Sequence, residues 1–457
     1  MNLTAGEIAR ACRGEILCDE NITVNDIVTD SRKAGNGTAF VAISGENVDG
    51  HDFVGSALES GAALAVVNRE YKSEETKIIK VDDTVAALGD IAKYYKSKFD
   101  VKTTAVTGSV GKTTTKDMIS SVFNRKYKTL TTKGNFNNHI GLPLTIFGLR
   151  KEHEAALTEM GMSGFGEIHY LADIARPDTA VISNIGLSHI EKLGSREGIL
   201  KAKLEICDFF DDNSTLIVNG DDELLYPAAK KLPYRVVSFG IKNPDADFKA
   251  YDIKDNGING VEFSVVIYDK EHRINVKTAG VHNVYNALAA VCAGVNYGIS
   301  AEDIKIGIEE YISSGMRMNI EDIGGITVIN DCYNACPASV EAGLNVLKSA
   351  EANRRIAMLG DMLEIGEYSK DAHFKAGTLA AKCADCLLCA GNEADNMKNG
   401  ALKGGIKEAH TFANSSELAA FAEDYVSPGD AVLIKASRGM KFEVIYKEIL
   451  NKSNIKK

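Results

Sequence analysis

Residues 101–116, VKTTAVTGSVGKTTTK, carry side-chain types and a spacing suited to holding phosphate. A β-rich run ends at a glycine turn, and Gly111-Lys112-Thr113-Thr114 then opens a helix. The backbone N–H groups of such a turn, with the positive end of a helix behind them, cradle anionic oxygens. Lys112 would reach the β- and γ-phosphates of ATP, and the Thr113 hydroxyl would take Mg²⁺. Gly108, Ser109, Val110, Gly111, Lys112, Thr113 and Thr114 are therefore the candidate ATP contacts. Val106 stands where the general phosphate-loop pattern has its first glycine, leaving the tighter form T-G-x-x-G-K-T-T. A plain glycine turn with a helix cap is the alternative, and the strand–loop–helix context weighs against it.

Glu159 ends the apolar run LTEMG, and His189 follows the run TAVISNIG. In an open parallel sheet, ligands gather beyond the carboxyl ends of the strands. These two residues and the phosphate loop can therefore converge on one metal-bound triphosphate. Taken singly, each reads as a partly solvated glutamate and a loop histidine. The polar stretch TKGNFNNHIGLPLT (132–145) reads first as a surface loop, although its asparagines could turn tightly and bond a ligand or a metal shell. GVHNVYN (280–286) opens a helix whose Asn283 and Asn286 could either cap it or read an adenine edge. Arg317 and Asp331 open the last domain, where an arginine near a hinge at Ser313–Gly315 can clamp phosphate only when the domains close. Cys383, Cys386 and Cys389 have metal-like spacing, but no fourth cysteine or histidine pair accompanies them. Strand alternation sends Cys386 and Cys389 to opposite faces, so these read as buried small hydrophobes.

The elements that must position these groups follow from pattern. A chain of 457 residues, 45% hydrophobic and 25% charged, is long enough for about three domains with ordinary cores. Its net charge of −11 disfavours non-specific binding to nucleic acid or anionic membranes, so an anionic ligand must be held by local donors. Thr4 followed by Glu7 reads as a capping box on a short helix, and the interrupted apolar residues around it do not form a signal peptide. No stretch approaches the ~20 apolar residues of a membrane helix. Nine cysteines, an odd and sparse set, fit reduced thiols and a cytoplasmic location. Strands alternating with helices predict an α/β fold in three domains, 1–83, 84–314 and 315–457. The middle one has a largely parallel sheet. VEFSVVIYD and HRINVKTAG form an antiparallel pair within it, and the last domain is a five-stranded doubly wound, Rossmann-like unit without a dinucleotide fingerprint.

Together, TGSVGKTTTK, GNFNNHIGLP, EMGMSGFGEI, SNIGLSHIEKLGS, ILKAKLEI, GVHNVYNALAA and DCYNACP resemble the Mur ligases of peptidoglycan synthesis. The resemblance covers essentially the whole chain in order. It is narrowed by LGDMLEIGEYS and VLIKASRGMKFE to the step joining D-alanyl-D-alanine to UDP-N-acetylmuramoyl-tripeptide. The resemblance implies an N-terminal UDP-binding domain, in which Ser31 and Arg32 help seat the UDP-sugar, a central P-loop ATPase domain and a C-terminal Rossmann-like domain. ATP and Mg²⁺ are the implied cofactors. Metal contacts fall on Thr113, Glu159, His189 and a carbamylated Lys203, adenine or ribose contacts on Asn283, Asn286 and Asp331, and a clamp on Arg317. Lys112, Lys203 and His189 are the implied catalytic set. The residues alone favour reading Lys203 as a solvated lysine on the outer face of its helix, and only the resemblance turns that reading round. Cys336, Ala436 and Leu204 stand where the family usually has Asn, Gly and Gly. The implied partners are small molecules, with no nucleic acid and no membrane insertion, and the chain is expected to be a monomer. The neighbouring ligase that adds the third amino acid would carry DNPR, which this sequence lacks. A folate polyglutamyl ligase would share only the central core. A nucleotide-binding regulator without catalysis would not need Lys112, Glu159, His189 and Lys203 together.

Overall fold

The computed structural model describes residues 1–72, 74–313 and 315–455. Ser314, in the middle of the expected hinge, lies outside the described residues. Three α/β units follow one another along the chain. The first carries a five-stranded sheet in the order Glu15–Ile16, Ile78–Val81, Leu64–Asn68, Thr38–Val41, Asp26–Val28, parallel except for its first pair. Its opening helix, Ala5–Cys12, starts at the expected capping box: the Glu7 amide donates to Thr4 Oγ1 at 3.2 Å, and the Thr4 amide to the Glu7 carboxylate at 2.8 Å.

The helix Thr84–Lys96 joins the first unit to the second. It packs on Ala5–Cys12 from one side and on the helices Gly141–Ile146 and Glu167–Ala175 from the other. One continuous apolar cluster therefore runs from Leu3 and Ile8 through Leu88 and Ile91 to Leu142 and Leu171. Burial of this kind contributes about 25 cal/mol per Å² of apolar surface removed from water, so the two units are held together by a shared core.

The second unit is built on seven strands in the order Phe248–Lys249, Arg235–Gly240, Thr215–Asn219, Thr179–Ile182, Lys102–Thr107, Ala155–Glu159, Thr129–Thr131, every pair parallel. Lys102–Thr107 lies between strands that come later in the chain on both sides, so the direction of winding reverses there. Such a reversal opens a crevice at the carboxyl ends of the strands, and ligands settle in it. The expected antiparallel pair is present as Val261–Ile267 with Lys270–Val276. A third strand, Tyr251–Asp255, joins through a register shift between Tyr251 and Lys254.

The third unit has the five expected strands, in the order Ile326–Asn330, Asp430–Lys435, Arg354–Gly360, Cys386–Ala390, Glu408–Phe412, all parallel. An antiparallel edge strand, Asn319–Ile323, was not expected. Helices cover both faces of this sheet, and the two faces have separate apolar clusters. Cys386 belongs to one and Cys389 to the other, as alternation requires, so the cysteines cannot share a metal ion. Burial pushes the Cys386 thiol up to about 11 and also drives that of Cys389 well up, which keeps both as inert packing groups. No helix among the described residues is long and apolar enough to cross a membrane.

Candidate active site

The phosphate loop leaves the strand Lys102–Thr107 and enters the helix Lys112–Phe123. Two glycines make this possible. At Gly108 (φ 152°) a Cβ would collide with the Ser183 hydroxyl, and at Gly111 (φ 83°) it would come within 2.8 Å of Asn286 Oδ1. The loop is braced by the segment after the neighbouring strand. Val110 N–H donates to Asn184 Oδ1 at 2.9 Å, and Ser183 Oγ donates to the Val110 carbonyl at 2.6 Å. Gly186 N–H donates to Ser109 Oγ at 2.8 Å. Preformed in this way, the loop needs little reorganisation to receive an anion.

Lys112, half-buried in the first turn of the helix, folds back to donate to the Gly108 carbonyl at 2.8 Å. Burial lowers its pKa; Glu159 opposes that shift and Arg317 adds to it. Glu159 is buried at its strand end. One of its oxygens accepts from Thr113 Oγ1 at 2.8 Å and the other from Asn137 Nδ2 at 2.7 Å. The 132–145 stretch is thus no simple surface loop. Thr132 is buried and accepts the Glu159 amide, while Asn137 fixes the rotamer of the Glu159 carboxylate. Asn137 was missed because asparagine-rich turns on the surface have the same composition.

Lys203 faces inward. It shares the buried face of the helix Arg196–Leu204 with Ile199 and Ala202, which excludes the solvated placement. It forms no hydrogen bond or ion pair with any described residue, and burial, helped by Lys112, drives its pKa well down. His189 sits in left-handed backbone (φ 63°) at the start of the turn Ile190–Leu193, and its Nδ1 lies 2.7 Å from Glu364 of the third unit.

Asn283 and Asn286 neither cap their helix nor stand free. Asn283 Nδ2 donates to the Ala279 carbonyl at 2.8 Å, Asn286 Nδ2 donates to Asn283 Oδ1 at 2.9 Å, and Thr115 Oγ1 donates to Asn286 Oδ1 at 2.9 Å. This chain ties the helix His282–Asn296 to the phosphate-loop helix. Across the cleft, the Arg317 guanidinium stacks on Tyr333 at 3.7 Å from the ring centre. The Asp331 carboxylate accepts from Met318 N–H at 3.0 Å and from Lys435 Nζ at 2.5 Å. Lys435, itself buried, is a cleft residue that the sequence pattern did not single out, because it ends the apolar run AVLI of its strand.

A cleft of about 820 Å³ between the second and third units gathers these groups. Ser109 to Thr114 line it, as do Glu159, His189, Asn283, Asn286, Arg317 and Asp331. Gly108 and Lys203 do not line it; Lys203 lies close enough to Lys112 and His189 to act on them electrostatically. Ser31 and Arg32 stand apart, in an exposed turn of the first unit where Asp30 holds the guanidinium at 2.9 and 2.8 Å.

Among the described residues no three His, Cys, Asp or Glu side chains are placed to hold a metal ion. That arrangement still fits magnesium, which is commonly held by one or two carboxylates together with substrate phosphates. The Thr113 hydroxyl and Glu159 carboxylate, side by side beneath the loop, supply hard oxygens of the required kind.

A braced phosphate loop at the winding reversal of a parallel sheet, facing a second α/β unit across a polar cleft, defines a nucleotide-dependent enzyme that works between two domains. Family comparison agrees in all three units. The Mur ligase family catalytic domain matches residues 23–96, the Mur ligase middle domain 106–294, and the Mur ligase glutamate ligase domain 316–438. The chain belongs to the Mur ligase family. It is 38% identical to the UDP-N-acetylmuramoyl-tripeptide–D-alanyl-D-alanine ligase of Bacillus subtilis, over 94% of each chain. With the Escherichia coli ligase of the same name identity is 30%, over 98% of each. Among solved structures, MurF from Acinetobacter baumannii superposes with a TM-score of 0.90 at 32% identity over 99% of each chain. The MurF ligase of Thermotoga maritima in complex with ADP gives 0.83 at 27% identity, over 94% of this chain and 98% of that one.

Proposed function

We propose that this protein joins D-alanyl-D-alanine to UDP-N-acetylmuramoyl-tripeptide at the expense of ATP. The observation that carries the reading is identity to ligases of that name running through all three units, 94% of both chains for the Bacillus subtilis enzyme. The phosphate-loop cleft supports it chemically.

A carboxylate is a poor acyl donor because oxide would have to leave. In the reading proposed here, a tripeptide carboxylate oxygen attacks the γ-phosphorus of ATP, and the bond to the β-phosphate oxygen breaks, giving an acyl phosphate beside bound ADP. The amine of D-alanyl-D-alanine then attacks the acyl carbon. The tetrahedral intermediate expels inorganic phosphate, and the amine proton is lost to solvent or base. The loop amides from Ser109 to Thr114 and the Lys112 ammonium hold the phosphates and answer the charge that develops on them. Bound magnesium, held by Thr113, Glu159, His189 and a Lys203 carbamate, would reduce repulsion between the carboxylate and phosphate anions. Asn137 keeps Glu159 aimed into the site, and Arg317 meets the phosphates from the third unit. Asn283, Asn286 and Asp331 bound the nucleoside end, and Ser31 and Arg32 receive the UDP end of the tripeptide substrate. The same reading makes the protein a cytoplasmic monomer whose partners are small molecules, not nucleic acid or membrane.

Phosphate release tests the reading. It should require ATP, the UDP-tripeptide and D-alanyl-D-alanine together, and release independent of the dipeptide would overturn it.

A narrower expectation concerns Gly111. Alanine in left-handed backbone costs about 1–2 kcal/mol before any collision is counted, and here its Cβ would also press on Asn286. Gly111→Ala should raise the Kd for ADP at least about tenfold by calorimetry, since 1.4 kcal/mol is a factor of ten. Unchanged affinity would show that the loop does not hold the nucleotide's phosphates.

A further inference from the structure

The segment LGDMLEIGEYS, from Leu359 to Ser369, is accounted for by none of the roles above. It leaves the strand Arg354–Gly360 of the third unit and crosses toward the second, where Gly366 packs against Glu191. Its backbone is pinned from both sides. The Met362 amide donates to Nε2 of the fully buried His373 at 2.8 Å, and Nδ1 of that ring bonds the Ser369 carbonyl at 2.7 Å. The Leu363 amide donates to Ser437 Oγ at 2.9 Å, and the Ser437 amide to the Asp361 carbonyl at 3.1 Å. The Asp361 carboxylate, also buried, accepts the amides of Asn392 and Glu393 at 2.8 and 3.0 Å.

From this rigid mount Glu364 extends to His189 Nδ1 at 2.7 Å. Both partners hold left-handed backbone, each with φ 63°. Non-glycine residues avoid that region, and it persists where surrounding structure over-determines it, most often at functional sites. Glu364 is 56% exposed, and an ion pair at that exposure stabilises a fold very little. Stability alone therefore gives no reason for two strained residues to meet. Metal chemistry does: a ligating histidine almost always gives its second ring N–H to a carboxylate, a backbone carbonyl or a water, which fixes the tautomer and the ring plane. With Nδ1–H directed to Glu364, Nε2 carries the free lone pair.

We propose that Glu364 is a positioning residue, contributed by the third unit, that orients His189 of the second unit toward the divalent cation accompanying the nucleotide. The inference rests on the magnesium-dependent reading of the site given above. Its consequence is a link between domain contact and metal binding. His189 is aligned only while the third unit lies against the second, and by reciprocity the bound cation favours that contact.

Mn²⁺ binding to the full-length protein in the presence of ADP, followed by the EPR signal of the free ion, tests this. Glu364→Ala should weaken Mn²⁺ binding about 10- to 100-fold. Glu364→Gln should recover most of the loss, because its amide oxygen still accepts from Nδ1–H. His189→Ala should weaken binding similarly, and combining it with Glu364→Ala should add nothing further, since the two changes remove one interaction. Wild-type affinity in Glu364→Ala, tighter binding in it, failure of Glu364→Gln to rescue, or multiplicative losses in the double variant would each overturn the proposal. A wild-type protein that binds ADP but no Mn²⁺ would overturn the metal reading itself, a result distinguishable from all of these.

Discussion

Lys112→Ala should fold normally and lose about 10²- to 10³-fold in kcat, equivalent to about 2.7–4 kcal/mol on the scale of lost oxyanion donors. The charge of Lys112 sits where the triphosphate must lie, at the first turn of a helix whose backbone N–H groups already favour anions. Without nucleotide that ammonium is poorly placed: half-buried, bonded to one carbonyl, and near Arg317 and Lys203. Removing it relieves the desolvation of a buried charge and the repulsion from Arg317, set against the lost attraction of Glu159, so the melting temperature should hold while turnover collapses. A variant with a normal melting curve and more than a tenth of wild-type turnover would contradict the phosphate role.

Lys203→Arg should be nearly inactive, again by about 10²- to 10³-fold, because arginine keeps the charge but cannot take up CO₂. An unperturbed lysine is neutral in roughly one molecule in a few thousand at pH 7. Burial and the nearby Lys112 drive the Lys203 pKa well down, so its free amine is far more abundant than that. The sign of the effect favours carbamylation, which consumes the neutral amine and releases a proton on forming the N-carboxylate. The product is an anion, and it would replace a buried, unpartnered amine with a counter-charge for Lys112. Wild-type activity should fall when bicarbonate is stripped and recover when it is restored, whereas Lys203→Arg should respond to neither. An arginine variant that ligates at the normal rate would leave Lys203 a packing residue.

Much of this site was legible because chemistry and topology coincide. The phosphate loop, Glu159 and His189 each stand at or beyond the end of a strand of one parallel sheet, and strand ends in such a sheet converge. What stayed hidden depended on contacts between distant parts of the chain. Asn137 reaches Glu159 across 22 residues, Asn184 reaches Val110 across 74, and Glu364 reaches His189 from another domain. No local period encodes such pairs. Lys203 was ambiguous for a different reason: an amphipathic helix places a lysine inward only when something else decides, and here the inward face closes on Lys112. The edge strand Asn319–Ile323 escaped notice because NIEDI is too polar to alternate, as suits a strand with one side open to water. Tyr251–Asp255 escaped because its register shift breaks the two-residue period.

Mass spectrometry of the products tests the central claim most directly. The protein would be incubated with ATP, Mg²⁺, D-alanyl-D-alanine and, separately, UDP-muramoyl-tripeptides carrying lysine or diaminopimelate as the third residue. Ligation predicts, for at least one of them, a UDP-linked product heavier by the dipeptide less one water, with ADP and phosphate formed in equal amounts. Unchanged tripeptide in both reactions, with ATP intact or merely hydrolysed, would contradict it.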